Sequence, residues 1–430
     1  MALAPAIGMP RARALGESTA GALTTLAVAS MFLLSGLMLS ALGITYDISG
    51  GALWQKIHPA SYFALLAVAC LVFLRLDPLT IADDLLRFHK RTLVFLGIWF
   101  LLLIHIVVFV HAPAAAIVDT FLLPILLLFL LPRTSERQAS NLAVFVHAAM
   151  TANALIAIFE FATGARLTPL VAEGVSLVAD WRSSALLGYP LLNALLTAAY
   201  TLIMIQGGGR DLPRALRVGI VVLQLVALVA FGGRVATLLL MVFAAGLGGA
   251  SLLRSPKWRI TAGQAAVAVA AVTGSIVVLV FLAMGGFFDL FALRFQQDLG
   301  SSDARIAMFH LVGQLPFSAI LFGSDPENVA TLQRLNGIEF GIESFWVAFV
   351  AFYGIVIALP FFAGFAGFLF DLKDATRKGA GVAIIFFIIV CSTSLSLAGK
   401  TTSLAMFTVM LLVLLRPFAD GPSTHERRDR

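Results

Sequence analysis

Charged residues are scarce in this chain: Asp, Glu, Lys and Arg make up only 12% of its 430 residues. A soluble domain carries roughly 25% charged residues, so a soluble fold is excluded. Cysteine is almost absent as well. Cys70 and Cys391 both lie inside apolar runs, where packing is the ordinary role and a structural disulfide is not expected.

The motifs of several large enzyme classes are also missing. The sequence contains no HExxH, no Walker A loop, no GxSxG elbow and no CxxC pair. His105, His147 and His310 are isolated in sequence, and a lone histidine is more often packed or hydrogen-bonded than bound to a metal. We therefore predict neither a metal site nor a cofactor. We interpret GGGRD at 207–211 as a flexible connection, not a nucleotide-binding loop.

Long apolar runs are what the chain has in abundance. Hydrophobic residues make up 60% of it, and the mean hydropathy is +0.98. The runs are about 20 residues long and do not alternate, which predicts membrane-spanning helices and not a barrel. We expect an all-α polytopic membrane protein, residues 1–430 forming a single integral membrane domain of about twelve helices. The predicted spans are 20–44, 58–75, 92–111, 113–131, 140–163, 184–205, 215–232, 235–253, 261–285, 341–367, 381–398 and 401–416.

The distribution of Lys and Arg predicts the orientation of these spans. Of the 29 basic residues, 21 fall on the connections of one side and 8 on the other. Basic residues collect on the cytoplasmic side, so both termini, including the tail 417–430, are predicted to be cytoplasmic. The same bias explains the net charge of +6 without nucleic-acid binding. The first span looks too long for a signal peptide, so we expect the N-terminal segment to be retained.

Two external connections differ from the short turns elsewhere. The larger loop, 286–340, follows the ninth span and precedes the tenth, and a smaller loop covers 164–183. Within the larger loop, 303–315 has the apolar spacing of a helix, with Ser302 or Asp303 as the N-cap. The apolar positions that carry this spacing are Ile306, Phe309, Leu311 and Leu315.

The few external arginines are candidates for a binding site. If they converge, they form a cationic site suited to a lipid-linked phosphate or diphosphate, because guanidinium pairs bidentately with phosphate and stays charged. Ordinary alternatives exist. Arg234, in FGGRVATLLL, could snorkel from the end of a span, Arg334 could be a solvated loop charge, and Arg305 could share a solvated face with its neighbour Asp303. The candidates are Arg182, Arg234, Arg294, Arg305 and Arg334.

Three acidic residues near the external side are further candidates for a functional or structural role. Glu343 opens the tenth span, where it either serves as a general base for a substrate hydroxyl or complements the helix dipole. Glu160 ends the fifth span and Asp119 lies in the fourth. Both could pair with arginines inside the bundle.

Three stretches together resemble the bacterial Wzy-type superfamily of polysaccharide polymerases and O-antigen ligases. RSSALLGYPLLNALL at 182–196 is similar to the family segment R-x-x-G-x-F-x-x-P-N-x-x-A, and FGGRVATLLL at 231–240 is similar to S-R-x-x-x-L. The loop 286–340, ahead of a span led by Glu343, resembles the major periplasmic loop of the family. The layout of about twelve spans also fits, so the resemblance covers most of the chain.

The resemblance implies a metal-independent glycosyltransferase of the bacterial inner membrane, active at the periplasmic face. Its substrates would be repeat units on undecaprenyl diphosphate, polymerised into exopolysaccharide alongside a flippase and chain-length or export proteins. Arg234 and Arg305 would neutralise the donor diphosphate as it leaves, and Glu343 would be the base. The implied substrate-binding residues are Arg182, Tyr189, Asn193, Arg294, His310 and Arg334.

One departure separates the chain from the ligases of this superfamily. Ligases carry a His-Asn pair at the end of the large loop, whereas this chain has Glu343 and Ser344 in the matching GIESFW. We therefore expect a polymerase and not an O-antigen-type ligase. The remaining alternative is a transporter or flippase of the same lipid-linked saccharides, although the sequence shows no duplicated halves.

Overall fold

The chain folds into a bundle of α-helices. The computed structural model describes residues 9–47, 52–74, 78–110, 114–172, 175–176, 180–254, 301–338, 341–393 and 397–417. Within these ranges the extended structure is one antiparallel hairpin of two-residue strands, β1 (Val171–Ala172) and β2 (Val175–Ser176). The all-α class predicted from the sequence is confirmed for this part of the chain.

The described helices range from 3 to 28 residues in length. Three of them contain or continue into a π-helical turn, at Ile106–Val110, Val118–Leu122 and Met204–Gly208. The described α-helices are α1 (Met9–Leu33), α2 (Gly36–Ala41), α3 (Pro59–Leu74), α4 (Pro78–Phe88), α5 (Lys90–His105), α6 (Ala115–Ile117), α7 (Leu123–Leu130), α8 (Glu136–Thr163), α9 (Pro190–Ile203), α10 (Arg214–Phe231), α11 (Arg234–Arg254), α12 (Ser301–Gln314), α13 (Phe317–Phe322), α14 (Pro326–Leu335), α15 (Phe345–Tyr353), α16 (Ile355–Asp374), α17 (Ala380–Thr393) and α18 (Ser403–Leu414).

Many of these helices suit a membrane. Among the described residues, six helical stretches are long and apolar enough to cross one, and four shorter apolar helices accompany them. The protein is thus polytopic and membrane-integral. The predicted ninth span, 261–285, lies outside the described residues, so the count of about twelve spans stays a prediction. The six long stretches are Lys90–Val110, Ala115–Arg133, Glu136–Thr163, Pro190–Gly208, Arg214–Phe231 and Ile355–Asp374.

An aromatic core joins the middle of the bundle. Phe121, in the π turn before α7, meets Phe361 of α16 edge to face, with ring centroids 4.8 Å apart. Phe349 of α15 stacks on Phe361 at 4.6 Å, and Phe95 of α5 lies 5.2 Å from Phe361. All four side chains are fully buried. Aromatic pairs of this kind add about 0.5–1.5 kcal/mol each beyond their buried area, so they hold α5, α7, α15 and α16 together.

The predicted tenth span, 341–367, is not one helix. It breaks at Gly354, whose φ of 75° and ψ of 159° belong to a region that glycine alone adopts readily. The break receives the end of α13: Ser324 donates its N–H to the Ala351 carbonyl at 3.1 Å. A Cβ atom added at Gly354 would collide with the backbone of Gly323 and Leu321. Two glycines therefore let the loop helices dock on the membrane helix.

The large loop is itself helical where the structure describes it. The predicted helix is present as α12, but it begins at Ser301, so neither Ser302 nor Asp303 is its N-cap. Of the four apolar positions with helical spacing, Leu311 and Leu315 are buried, whereas Ile306 and Phe309 are 58% and 63% exposed. Among the described residues, the loop helices pack on α15 through one face. The buried face consists of Met308, Leu311, Leu315, Ala319, Val329, Ile338, Ile342, Ala348 and Ala351.

The connections fall into two groups at opposite ends of the bundle. One end, which we call the loop end, contains the connections α2–α3, α8–α9, α10–α11 and α17–α18 and the helices α12–α14. The basic end carries ion pairs between helices: Arg91 to Asp374 at 3.1 Å and Arg416 to Glu136 at 3.2 Å. If basic residues mark the cytoplasmic side, the loop end is the external one.

The glycine break at 354 gives a direct test of this packing. We expect Gly354→Ala to lower the free energy of unfolding by roughly 1–3 kcal/mol, because alanine strains the backbone there and displaces α13. Thermal unfolding of the purified protein in detergent measures this. Gly97→Ala is the matched control, since nothing lies within 4 Å of its added Cβ and its helical backbone favours alanine. Equal melting temperatures for the two variants would contradict the docking of α13 at the break.

Candidate functional site

A non-helical segment enters the bundle at the loop end. The predicted span 184–205 becomes helical only at Pro190, which occupies the first turn of α9. Residues 183–188, which we call the buried turn, are all buried. Two of them have positive φ: Ala185 at 39° and Gly188 at 86°. Backbone groups in such a position must find partners inside the protein, because neither a helix nor water satisfies them.

The carboxylate of Glu160, near the end of α8, supplies most of these partners. One oxygen accepts hydrogen bonds from the Ser183 hydroxyl at 2.6 Å and from the N–H groups of Ser184 and Ala185, both at 3.0 Å. The other oxygen accepts from the Leu167 N–H at 2.7 Å. Glu160 is only 4% exposed. A carboxylate can accept at both oxygens without donating, so it suits a site where four donors converge.

Two asparagines complete the support of the buried turn. Asn153 of α8 accepts the Leu186 N–H at 3.0 Å. Asn193 of α9 donates to the carbonyls of Ser184 at 2.7 Å and Tyr189 at 3.1 Å. Asn193 is fully buried, and its two hydrogen bonds hold the end of the buried turn against α9. Its contact with substrate stays a prediction.

The FGGR stretch lies directly against the buried turn. Ser183 donates its N–H to the Ala230 carbonyl at 3.0 Å. Gly232 ends α10 in the left-handed conformation, with φ of 63°. A Cβ atom there would lie 2.9 Å from the Trp181 ring and 3.1 Å from Cγ of Arg182. The two stretches that were singled out separately in the sequence therefore meet at one place.

Arg234 begins α11 at this meeting point. The preceding Gly233 leaves no room for a side chain, since a Cβ atom there would collide with Ala194 of α9. Arg234 is half-buried, and the first turn of α11 contains no acidic residue. A helix N-terminus carries a partial positive charge, so a cation in the first turn is electrostatically unfavourable. An anion bound nearby would relieve both positive charges.

Arg182 is already paired within the described structure. Its guanidinium binds Asp180, with Nε 2.9 Å from each carboxylate oxygen, and the two side chains are 14% and 15% exposed. The sequence analysis did not single out Asp180. The two residues are separated only by Trp181, and that spacing is the signal that could have suggested the pair. Arg182 therefore contributes less net positive charge to the site than was expected.

The remaining candidates on the loop helices are less convergent. Arg334 is exposed on α14, and its hydrogen bonds to other described residues stay within that helix, to Ala330 at 3.3 Å and Thr331 at 3.4 Å, as expected for a solvated loop charge. His310 is exposed on α12, beside the buried Leu311. Arg305 lies in α12, and Arg294 lies outside the described residues.

Two candidates flank the ends of helices. Tyr189 occupies the N-cap position of α9 and is 36% exposed, so its ring remains accessible at the loop end. Glu343 precedes α15, which begins at Phe345 with Ser344 as N-cap. Glu343 therefore lies before the cap and outside the first turn, which weakens its assignment as a residue that complements the helix dipole. It is half-buried.

A second polar network surrounds Asp119 at the same end. Its carboxylate is fully buried and accepts hydrogen bonds from the Tyr46 hydroxyl at 2.8 Å, the Ser61 hydroxyl at 2.7 Å and the His58 N–H at 3.0 Å. The sequence left open that Asp119 and Glu160 pair with arginines, and no such pair is present among the described residues. Hydroxyl and backbone N–H groups surround both carboxylates instead, at the positions where those segments turn into the bundle.

Lys400 ties the last connection to this network. Its ammonium lies 3.6 Å from the centroid of the Tyr46 ring, donates to the Tyr46 carbonyl and pairs with Asp47 at 3.4 Å. Burial lowers the pKa of Lys400, and the negative charges of Asp47 and Asp119 oppose that shift. A cation–π contact and an ion pair together fix the α17–α18 connection against residues 46–47.

The two networks are joined through the break between α1 and α2. The His58 ring binds the Leu34 carbonyl through Nε2 at 2.7 Å. Ser35, the next residue, packs against Gly188 of the buried turn, where a Cβ atom would lie only 2.9 Å from its Oγ. The Asp119 network and the buried turn therefore form one continuous polar layer.

The helices and this layer define an integral membrane protein whose loop end carries an ordered polar site. No protein-family model, no curated protein and no solved structure matches the chain. The functional interpretation therefore depends on the residues and geometry of the site itself.

The role of Glu160 can be tested by a substitution that changes one atom. Glu160→Gln replaces an acceptor by an NH₂ group that must face at least one buried N–H donor. We expect a loss of about 1–3 kcal/mol in unfolding free energy, measured by thermal or chemical unfolding in detergent. Glu136→Gln is the matched control on the same helix, because its side chain is 72% exposed and its surface ion pair is worth about 0–1 kcal/mol. An equally small loss in both variants would show that the buried turn does not depend on Glu160.

Proposed function

We propose that the protein is a Wzy-type polymerase of lipid-linked oligosaccharides, a metal-independent glycosyltransferase working at the loop end. The observation that carries the proposal is the contact between the FGGR and WRSS stretches, at Gly232 against Trp181 and Arg182. Each stretch separately resembles a motif of this superfamily. Two motifs that form one site must lie in contact, whereas two unrelated segments of the chain need not.

The position of Arg234 supports a role in binding the donor diphosphate. Its guanidinium and the N-terminal N–H groups of α11 are two sources of positive charge at one place. A diphosphate leaving group gains negative charge as its bond to the sugar breaks. Preorganised positive charge at that position lowers the barrier. Arg305 of α12 is the second arginine assigned to this task.

The reaction transfers a sugar from one lipid carrier to another. A hydroxyl of the acceptor repeat unit attacks the anomeric carbon of the donor saccharide and forms the new glycosidic bond. The bond from that carbon to the diphosphate oxygen breaks, and undecaprenyl diphosphate leaves with the electron pair. Glu343 takes the hydroxyl proton as general base. In the chain, Glu343 lies just ahead of α15 and after the loop helices α12–α14.

The exposed apolar side chains of the loop helices suit a substrate held in a membrane. Phe309 of α12, and Phe317 and Phe322 of α13, are 63%, 74% and 62% exposed. Side chains of this size facing outwards mark a surface that meets lipid or a partner. At the external membrane surface they would contact the polyprenyl chain or the neighbouring bilayer, while the arginines hold the diphosphate.

Replacement of Arg234 tests the proposal. We expect Arg234→Ala and Arg234→Lys to lower polymer formation by roughly 10²–10³-fold, because one preorganised charge at the leaving group is lost or misplaced. In cells lacking the wild-type protein, single repeat units should accumulate on the lipid carrier at the external face. Polymer length on gels and the lipid-linked pool measure both effects.

The matched control is Arg334→Ala, since Arg334 is exposed and bonds only within α14. It should leave chain length near wild type. Normal chain length in a folded, membrane-inserted Arg234→Ala variant would contradict the catalytic assignment. Accumulation of repeat units on the cytoplasmic face would instead identify a flippase.

A further inference from the structure

A cavity at the basic end is used neither by the fold nor by the proposed reaction. It has a volume of about 470 Å³ and lies between the π turn that follows α9 and the first half of α10. Its volume falls within the range of about 300–1,000 Å³ that is usual for small-molecule sites. Its lining includes Ile205, Gln206, Arg210, Arg217, Val218 and Val221.

Two of the three glycines of the GGGRD stretch lie against arginine side chains that line this cavity. The guanidinium of Arg210 lies over Gly207, where an added Cβ would be 2.7 Å from its Nε. The stem of Arg217 packs against Gly209, 3.3 Å from the position of an added Cβ. Gly207 also has a φ of 96°, which a residue with a side chain rarely adopts. The GGGRD stretch therefore positions the side chains of Arg210 and Arg217 and is not merely a flexible connection.

A third arginine increases the positive charge around the cavity. Burial lowers the pKa of Arg377, in the connection between α16 and α17, and the charge of Arg210 lowers it further. The carboxylate of Asp211 opposes these effects. Arg217 adds a further cation at the cavity wall, so an anion is the ligand whose charge complements this part of the cavity.

The other wall of the cavity is apolar and faces outwards. Ile205 is 44% exposed and Val218 is 46% exposed, and both line the cavity. Leu216, next to Arg217, is 50% exposed. On a membrane protein, exposed aliphatic side chains at this level meet acyl chains. A site with arginines at one edge and aliphatic side chains at the other matches an amphiphilic anion.

We propose that this cavity binds an acidic phospholipid, with its phosphate between Arg210 and Arg217 and an acyl chain along Ile205 and Val218. Basic cavities between membrane helices on the cytoplasmic side are known to take anionic headgroups. Basic residues that only orient the protein in the membrane need no cavity, whereas Arg210 and Arg217 both line this one. The site is independent of the proposed polymerase reaction, since it lies at the opposite end of the bundle.

Lipid titration of the purified protein tests this site. The protein is delipidated in a neutral detergent and titrated with phosphatidylglycerol, phosphatidylcholine or inorganic phosphate, with bound lipid counted by native mass spectrometry and stability followed by tryptophan fluorescence. We expect phosphatidylglycerol to bind and raise the melting temperature more than phosphatidylcholine. Arg217→Gln should weaken that binding by about tenfold, the value of one charge-assisted hydrogen bond.

The matched control is Arg214→Gln, on the same helix and with the same loss of charge. Arg214 is exposed and does not line the cavity, so binding should change less than about twofold. Arg210→Gln serves as the second variant if Arg217→Gln does not fold. Equal weakening by the Arg214 and Arg217 substitutions, equal binding of phosphatidylcholine, or full stabilisation by inorganic phosphate alone would each overturn the proposal.

Discussion

The structure of the loop end depends on how one buried carboxylate satisfies a stretch of backbone that is not helical. Glu160 accepts four hydrogen bonds, three of them from consecutive residues of the buried turn. In an apolar bundle, each unpaired N–H group would cost several kcal/mol, so without such a partner the chain could not turn inwards at that point. This constraint places Arg182 just ahead of the buried turn and Ser183 against the end of α10.

A second buried carboxylate, that of Asp119, plays the same part. It accepts hydrogen bonds from residues in and next to the α2–α3 connection. The two carboxylates are linked through Leu34 and Ser35, so the connections at the loop end share one polar layer. A rigid layer of this kind is what a catalytic site at a membrane surface needs, because the charges that meet a leaving group must be positioned in advance. Arg234 lies at the edge of this layer, where it begins α11.

The sequence predicted the helical class correctly, because apolar runs of about 20 residues leave few other structures open. It did not predict the interruptions. The break at Gly354 and the buried turn before Pro190 both lie in apolar stretches, and windowed hydropathy averages over them. It suggested arginines as possible partners of Glu160 and Asp119, since opposite charges are visible in a sequence, whereas the backbone N–H groups that bind these carboxylates leave no such signal. The meeting of Gly232 with Arg182 joins residues 50 positions apart, so only the fold reveals it.

The proposed activity is that the loop end joins lipid-linked repeat units without a metal or another protein. The most direct measurement is reconstitution of the purified protein in proteoliposomes with oligosaccharide linked to undecaprenyl diphosphate, in the presence of EDTA. The account predicts a ladder of longer lipid-linked saccharides together with one free undecaprenyl diphosphate for each unit added. Repeat units that stay single in the presence of folded protein, with the native saccharide of its host as substrate, would contradict it.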